Sequence, residues 1–275
     1  MKLHGHDIAV CSWSLKPGGM ADLVAKVKSL GLEHVQLALL DLVMMDDKRK
    51  HHELGQLRAS GLKLTGGMMS FPGEDYGTIA LIRKTGGFVP DEFWPVRKQL
   101  MIQGGALAQE LGIDRIGVHV GFVPPSSDPH YDATVARVCE VAEPLSERGI
   151  QLLMETGQEP ASELLQFLND LKCRNVEINF DPANMILYGA GDPIEAIHTL
   201  GRHIQHVHVK DATLSSRPGE AWGEEVPFGT GQVPSREFLD ALKSVGYTGP
   251  LAIEREAGAD RVSDVRTAIE TLTNA

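Results

Sequence analysis

The feature that most constrains this chain is an alternation, repeated eight times, between a short apolar segment and a longer amphipathic one. The short segments are rich in β-branched or aromatic residues and predict strands at 7–13, 34–39, 63–69, 115–121, 151–156, 176–181, 204–210 and 250–255. The longer segments predict helices near 19–30, 47–60, 96–111, 132–148, 160–171, 192–201, 234–245 and 260–273. Strands and helices that alternate in this way form a parallel sheet covered by helices.

Eight such units without an obvious linker predict a single-domain (β/α)8 TIM barrel over residues 1–275. An open doubly wound sheet normally has fewer strands and a glycine-rich first turn, and no G-x-G-x-x-G follows the first predicted strand. Glycines that can end a helix in the left-handed conformation follow several predicted helices: Gly31, Gly61, Gly112 and Gly149. The positions of these glycines therefore agree with the helix ends that the strand–helix alternation predicts.

Polar residues end the last four predicted strands, and they are Glu155, Asp181, His208 and Glu254. In a barrel the carboxyl ends of the strands meet at one face, where active sites are built. Three carboxylates and one imidazole suit Mn²⁺, Mg²⁺ or Co²⁺, with Zn²⁺ as a further candidate. A single glutamate at a strand end is more often an ion-pair partner, but four such residues on consecutive strands favour one divalent metal site.

Several motifs occur in a recognisable order: M-E-T-G at 154–157, F-D-P-A-N at 180–184, H-V-H-V-K-D at 206–211, G-T-G-Q-V at 229–233 and G-Y-T-G-P-L-A-I-E-R-E at 246–256. With these motifs the chain resembles the xylose isomerase-like TIM-barrel superfamily, the sugar phosphate isomerase/epimerase group. The resemblance implies that Glu155, Asp181, His208 and Glu254 bind one divalent metal. It also implies that Glu155 and Glu254 act as the catalytic acid and base.

The chain departs from two branches of that superfamily. Ketose 3-epimerases usually carry a histidine and an arginine where this chain has Asn184 and Leu214. Endonuclease IV relatives need extra histidines, but the third predicted strand ends in Met68 and Met69. These departures argue against a simple free-ketose epimerase and against DNA repair.

Five further residues are predicted to bind the substrate: Trp13, Gln36, His119, Asn184 and Lys210. Trp13 is expected to stack on a sugar face, Gln36 to contact a hydroxyl, and Lys210 to stabilise a developing oxyanion. His119 ends the fourth strand facing inward, and Asn184 is a candidate hydrogen-bonding group. Four of the five have a structural alternative: rim packing for Trp13, a core histidine for His119, a turn cap for Asn184, and an ion pair with Asp211 or Glu254 for Lys210.

The predicted function is a divalent-metal-dependent isomerase or epimerase of a sugar, keto-sugar or sugar acid, working through an enediolate. A metal-dependent dehydratase of the inosose or dehydroshikimate type is the alternative, and a non-catalytic carbohydrate-binding barrel is a more remote one. Two long connections, Ser70 to Pro95 and Ala212 to Val233, predict lids or substrate walls on the catalytic rim.

Composition limits the partners and the compartment. A net charge of −11 argues against nucleic acid, and no apolar run approaches the ~18 residues of a membrane span. The N-terminus lacks the apolar region of a secretory signal, which predicts a cytoplasmic protein.

Three cysteines, Cys11, Cys139 and Cys173, are odd in number and far apart, so we expect reduced core residues without a disulfide framework. Homo-oligomerisation stays open.

Overall fold

The structure is a computed structural model that describes residues 1–275. Eight parallel strands form a closed barrel: β1 His6–Cys11, β2 His34–Ala38, β3 Lys63–Met69, β4 Arg115–Val118, β5 Gln151–Glu155, β6 Val176–Phe180, β7 Ile204–Val209 and β8 Leu251–Ile253. Each strand pairs with the next along the chain, and β8 pairs with β1 to complete the ring. The predicted TIM barrel is confirmed.

A long helix follows each strand and packs outside the barrel: α1 Met20–Ser29, α2 Asp47–Ser60, α3 Trp94–Leu111, α4 Tyr131–Ser146, α5 Ala161–Asp170, α6 Pro193–Leu200, α7 Ser235–Ser244 and α8 Arg261–Asn274. All eight predicted strands and all eight predicted helices are present. Their bounds differ from the predicted ones by a few residues at most.

The sequence analysis missed the short elements in the connections. These are the 3-10 helices Ser12–Leu15 and Gly201–His203, the helices Leu40–Met44, Ile79–Thr85 and Pro182–Tyr188, and the strands Lys2–Leu3, Asp211–Thr213 and Glu224–Val226. None spans more than two helical turns or three strand residues, so hydrophobic periodicity carries little information about them. Most of them follow a barrel strand and therefore shape the carboxyl end of the barrel.

Alternation along the strands separates an apolar layer from a polar interior. Ile8 and Val10 belong to a continuous core of 61 buried residues, whereas Ala9 and Cys11 belong to a small separate cluster with Ala252. Strand side chains alternate between the two faces, so small residues leave room inside the barrel. Buried polar side chains occupy the interior near its carboxyl end: Gln36, Asn179, His206 and His208.

The cysteine prediction was wrong for two of the three residues. Cys139 on α4 and Cys173 before β6 form a disulfide, with Cα atoms 5.4 Å apart, while Cys11 is free and buried. An odd number of cysteines does not exclude one pair, and the fold brings together two residues separated by 34 positions. The cysteine content therefore no longer argues for a reducing compartment.

The two long connections meet over the carboxyl end of the barrel. Trp222 in the second connection donates its Nε1–H to the carbonyl oxygen of Tyr76 in the first, at 3.1 Å. The Trp222 ring also packs against Tyr188, with ring centroids 4.7 Å apart. Both connections therefore form part of one wall at the carboxyl end of the barrel. None of the helices in the structure is long and apolar enough to cross a membrane.

Candidate metal centre

The four predicted metal ligands converge inside the carboxyl end of the barrel. Ligand-type atoms of Glu155, Asp181, His208 and Glu254 all lie within 4.8 Å of one another. Each residue is buried, with an exposed fraction of 6% or less. They lie at or near the carboxyl ends of β5 to β8, which the parallel barrel directs to the same place.

Asp181 uses one carboxylate oxygen for the fold and leaves the other without a donor. Its Oδ1 accepts hydrogen bonds from the backbone N–H groups of Ala183 and Asn184 at 2.8 and 3.0 Å, which caps the following helix. Its buried Oδ2 accepts no hydrogen bond, and His208 Nδ1 and Lys210 Nζ both lie 3.7 Å away. A buried carboxylate oxygen without a partner is costly, and a cation bound at this point would satisfy it.

Gln36 sets the orientation of His208. The Nε2–H group of His208 donates to Oε1 of Gln36 at 2.6 Å. Nδ1 therefore faces the carboxylates, at 2.7 Å from Glu155 Oε1 and 3.2 Å from Glu254 Oε2. Burial lowers the pKa of His208, but the acidic groups around it outweigh burial and raise the pKa well above its ordinary value. The imidazolium thus supplies positive charge where a divalent cation would supply it.

Both carboxylate oxygens of Glu155 have basic or amide partners. His119 Nε2 lies 2.5 Å from Oε2, and Asn179 Nδ2 donates to Oε1 at 3.2 Å. Burial raises the pKa of Glu155, but the charges and hydrogen bonds of His119 and His208 outweigh it and hold the pKa well below its ordinary value. Glu155 is therefore ionised, as a carboxylate that binds a cation must be.

A buried chain of hydrogen bonds supports Glu155 from below, and the sequence analysis did not predict it. Thr65 Oγ1 lies 3.2 Å from His206 Nε2, and His206 Nδ1 lies 2.8 Å from Asn179 Oδ1. Burial is the largest of the causes that lower the pKa of His206 well below its ordinary value, so this ring is neutral. Its Nδ1–H group then donates to Asn179, which in turn donates to Glu155. The signal was present in the strands, because Asn179 and His206 each share a face with a predicted ligand two residues later.

Trp13 and Lys210 hold Glu254. The Nε1–H group of Trp13 donates to Glu254 Oε1 at 2.7 Å, and its ring meets the ring of His208 edge-on. Lys210 Nζ lies 2.9 Å from Glu254 Oε2 and 2.7 Å from Glu256 Oε2. Burial lowers the pKa of Lys210, but the carboxylates around it outweigh burial and raise the pKa well above its ordinary value. Lys210 is therefore a fixed cation beside the cluster, and Glu256 is a rim residue that anchors it.

The predicted substrate contacts occupy different positions around this cluster. Trp13, His119 and Lys210 each touch a carboxylate of the cluster, and the His119 side chain keeps 19% of its surface exposed. Asn184 accepts from Lys210 Nζ at 3.4 Å. Gln36 is only 1% exposed and lies behind His208, which favours a positioning role over the predicted contact with a substrate hydroxyl.

Two motif glycines are explained by close approaches at this rim. A Cβ atom on Gly157, the last residue of M-E-T-G, would lie 2.5 Å from Asn184 Cβ, and its φ of +143° favours glycine. A Cβ atom on Gly231 would lie 2.3 Å from Asp211 Oδ1. Glycine at these positions therefore lets the loops close around the site.

Asp211 organises the loop that contains G-T-G-Q-V. Its Oδ2 accepts from the backbone N–H groups of Gly229 and Gly231 at 2.9 and 2.8 Å, and its Oδ1 accepts from Val233 at 2.9 Å. Asp211 is fully buried and committed to these contacts, so the suggested ion pair with Lys210 does not form. The K-D and G-T-G motifs thus belong to one structural unit.

The donor set and its geometry fit a divalent cation. Three hard carboxylate donors and one imidazole nitrogen converge, and the buried Oδ2 of Asp181 accepts no hydrogen bond. The cysteine nearest the cluster, Cys11, is a weak candidate for a ligand because burial raises the pKa of its thiol to about 12.

Residues 24–275 match the family model described as a xylose isomerase-like TIM barrel. The chain belongs to this family. It is 33% identical to a xylose isomerase domain protein from Planctomyces limnophilus, with a TM-score of 0.88 over 98% of this chain and 96% of that one. The xylose isomerase-like chain is also 28% identical over 170 residues to the uncharacterized protein MJ1311 of Methanocaldococcus jannaschii. That match covers 56% of this chain and 55% of the relative, so the chain spans about half the length of that protein.

More distant solved structures share the fold alone. A xylose isomerase-like TIM-barrel protein from Mycobacterium smegmatis in complex with magnesium is 18% identical, with a TM-score of 0.74 over 100% of this chain and 99% of that one. An L-ribulose 3-epimerase is 19% identical, with a TM-score of 0.72 over 97% of this chain and 94% of that one.

Proposed function

We propose that this xylose isomerase-like chain is a divalent-metal-dependent isomerase or epimerase of a sugar, keto-sugar or sugar acid. The observation that carries the proposal is the convergence of Glu155 and Glu254 on His208 Nδ1, at 2.7 and 3.2 Å. Two carboxylates held at one cation site provide both ligands and proton acceptors. The 3-epimerase with the same fold supports a carbohydrate substrate.

Glu155, Asp181, His208 and Glu254 would hold the metal. Mn²⁺, Mg²⁺ and Co²⁺ suit this oxygen-rich set best, Zn²⁺ is a further candidate, and a relative with the same fold was solved with magnesium. When bound, the cation would polarise a substrate carbonyl and so acidify the neighbouring C–H group.

Glu155 and Glu254 would move the proton. One carboxylate removes it from the carbon next to the carbonyl, which leaves an enediolate, and a carboxylate returns it to the same or a neighbouring carbon. The two glutamates come from β5 and β8, which are separated in the barrel by β6 and β7. Access from two sides permits inversion at one carbon, whereas a single carboxylate suffices for aldose–ketose transfer.

The surrounding residues would orient the substrate and exclude water. Lys210 supplies a fixed positive charge near an oxygen that becomes anionic, and its contact with Asn184 places an amide beside it. Trp13 offers an apolar ring edge beside Glu254. The contact between Tyr76 and Trp222 joins the two rim loops over the site, which reduces access of bulk water.

A dehydratase is the second candidate, and His119 is the observation that favours it. Burial lowers the pKa of His119, but Glu155 outweighs burial and raises the pKa to about 9. The His119 ring lies 2.5 Å from Glu155 and keeps 19% of its side-chain surface exposed, so its Nε2–H group could protonate a leaving hydroxyl after proton removal. Loss of water would then give an enone in place of a rearranged sugar.

An NMR assay in D₂O tests the proposal and separates the two reactions. Protein loaded with Mn²⁺ or Mg²⁺ is mixed with ketoses, keto-inositols and sugar acids, with a chelator-treated control. Metal-dependent deuterium entry next to a carbonyl, with a new epimer or isomer, supports the proposal, whereas a new olefinic signal supports the dehydratase. Glu155→Gln and Glu254→Gln should each lower the rate by at least about 100-fold, while the surface variant Glu140→Gln should not. Sugar binding without exchange in the wild type contradicts an enzymatic role.

A further inference from the structure

A cleft adjoins the metal centre at the carboxyl ends of β1 and β2. Its volume is about 430 Å³, within the range of small-molecule sites, and it lies between the segment after β1 and the helix Leu40–Met44 after β2. The lining is mostly apolar and includes Met20, Leu37, Leu42, Met44 and Met45. None of these residues takes part in the metal centre.

Trp13 is the wall that the cleft and the metal centre share. The tryptophan lines the cleft, while its Nε1–H group donates to Glu254 Oε1 at 2.7 Å. Its ring centroid lies 6.0 Å from that of His208. A molecule bound at the metal centre therefore has an apolar cavity one side chain away, and a substituent that passes the edge of Trp13 would enter it.

Two polar side chains of the cleft each accept a hydrogen bond from the backbone. Ser12 Oγ accepts from the backbone N–H of Ala38 at 2.9 Å, and Glu53 Oε2 accepts from the backbone N–H of Met20 at 2.6 Å. Asp41 and Arg49 lie at the exposed mouth. The inner part thus offers few groups to a hydroxyl-rich ring, whereas methionine and leucine side chains adapt to apolar groups of varied shape.

The geometry points to this cleft as the binding site for an apolar substituent, aryl or alkyl, of the substrate held at the metal centre. A glycosidic bond is the usual way in which a sugar carries such a group, so the inference narrows the substrate class to keto-glycosides, which combine an apolar aglycone with a ring ketone. The ring ketone supplies the carbonyl that the proposed enediolate needs, because the anomeric carbon of a glycoside is an acetal. The inference rests on the proposed function for the identity of the sugar part. It also agrees with the absence of the ketose 3-epimerase residues at Asn184 and Leu214, because a glycoside is not a free ketose.

Binding of two unreactive probes tests the cleft directly. Isothermal titration of the Mn²⁺-loaded protein compares phenyl β-D-glucoside with methyl β-D-glucoside, which differ only in the aglycone. We expect the phenyl compound to bind at least about tenfold more tightly, because the aryl group leaves water for an apolar pocket. Equal affinities, or no binding of either compound, would overturn the inference.

Two variants of Met45 test whether the tighter binding of the phenyl compound arises in the cleft. Met45→Glu places a charge in the cleft and should abolish the preference for the phenyl compound, whereas Val96→Glu places the same charge at an exposed apolar site outside the lining and should preserve it. Met45→Trp reduces the cleft volume without a charge and should give the same loss as Met45→Glu. Circular dichroism confirms that each variant is folded. A preference that survives both Met45 variants would overturn the inference.

Deuterium exchange into the 3-keto forms of the same two glucosides separates this inference from the proposed function. Exchange of both compounds at equal efficiency, with equal affinities, would support the function and reject the cleft. A Met45-dependent preference in binding, without exchange of either keto compound, would support the cleft and reject the function. Exchange that favours the phenyl compound and loses this preference in Met45→Trp would support both.

Discussion

Gln36 Oε1 accepts a hydrogen bond from His208 Nε2 over 2.6 Å, and this contact decides which imidazole nitrogen faces the carboxylate cluster. Both side chains are buried, and Cys11 Sγ donates to the same amide oxygen at 3.4 Å. A histidine that binds a metal through one nitrogen usually donates its other N–H to a nearby acceptor. Gln36 therefore prepares Nδ1 of His208 for a metal.

Gln36→Leu should weaken metal binding by about 10-fold to 100-fold, because the leucine removes the acceptor that orients the ring. Competition of Mn²⁺ between the protein and a chromogenic chelator measures the change without an activity assay. Gln36→Glu retains an acceptor oxygen at the same place and is the matched variant that should keep metal binding. Unchanged affinity in Gln36→Leu would show that the contact does not control the ring.

Two substitutions of Asp181 should distinguish its role in metal binding from its role as a helix cap. In Asp181→Asn, an amide oxygen can still accept from Ala183 and Asn184, but the second oxygen that a cation needs is lost. In Asp181→Ala both functions are lost, so the metal-free protein should be less stable than Asp181→Asn by about 1 kcal/mol. Urea unfolding in chelator measures the cap, and metal titration measures the site. Tight metal binding by Asp181→Asn would exclude Oδ2 as a ligand.

The barrel could be predicted because its signals are local and repeated. Each strand or helix is long enough to show its period, and glycines such as Gly61 and Gly112 mark helix ends. The short helix Pro182–Tyr188 could not be separated from a turn by the same reasoning. Its start depends on the carboxylate of Asp181, which the sequence analysis had interpreted only as a metal ligand.

The candidate ligands could be predicted from their places at strand ends, but their partners could not. Gln36 and His208 are 172 residues apart, and only barrel closure brings them together. The sequence analysis placed Gln36, on the second strand, among the substrate contacts. Whether such a side chain faces the substrate or lies behind a ligand depends on strand stagger, which a single sequence does not reveal.

Glu159 should make stability depend on pH. This carboxyl group is 6% exposed and accepts one backbone N–H, from Val123 at 2.6 Å, yet burial raises its pKa to about 8. The folded state therefore binds a proton that the unfolded state releases near pH 4.3. The stabilising effect of this proton is complete below about pH 4.3 and is lost as pH rises through about 8.

Glu159→Gln should remove this dependence, because the amide is neutral at every pH. The difference in the free energy of unfolding between the variant and the wild type should change by several kcal/mol from pH 5 to pH 9, with about 1.4 kcal/mol for each pKa unit. The variant should gain in relative stability at the higher pH. Urea titrations at several pH values in chelator measure this, and a difference that is constant with pH would contradict it.

The disulfide between Cys139 and Cys173 should stabilise the barrel on the side away from the metal cluster. It links α4 to the segment before β6 and closes a loop with a sequence separation of 34 residues. A cross-link of this length restricts the unfolded chain, and its loss should lower the free energy of unfolding by about 2–4 kcal/mol. Cys139→Ser and Cys173→Ser should be equally destabilised, and the double variant should be no less stable than either.

A reductant should destabilise the wild type but none of the three variants. Thiol titration of the unfolded wild type should detect one thiol, from Cys11, before reduction and three afterwards. Three thiols before reduction would show that the pair does not form in the isolated protein.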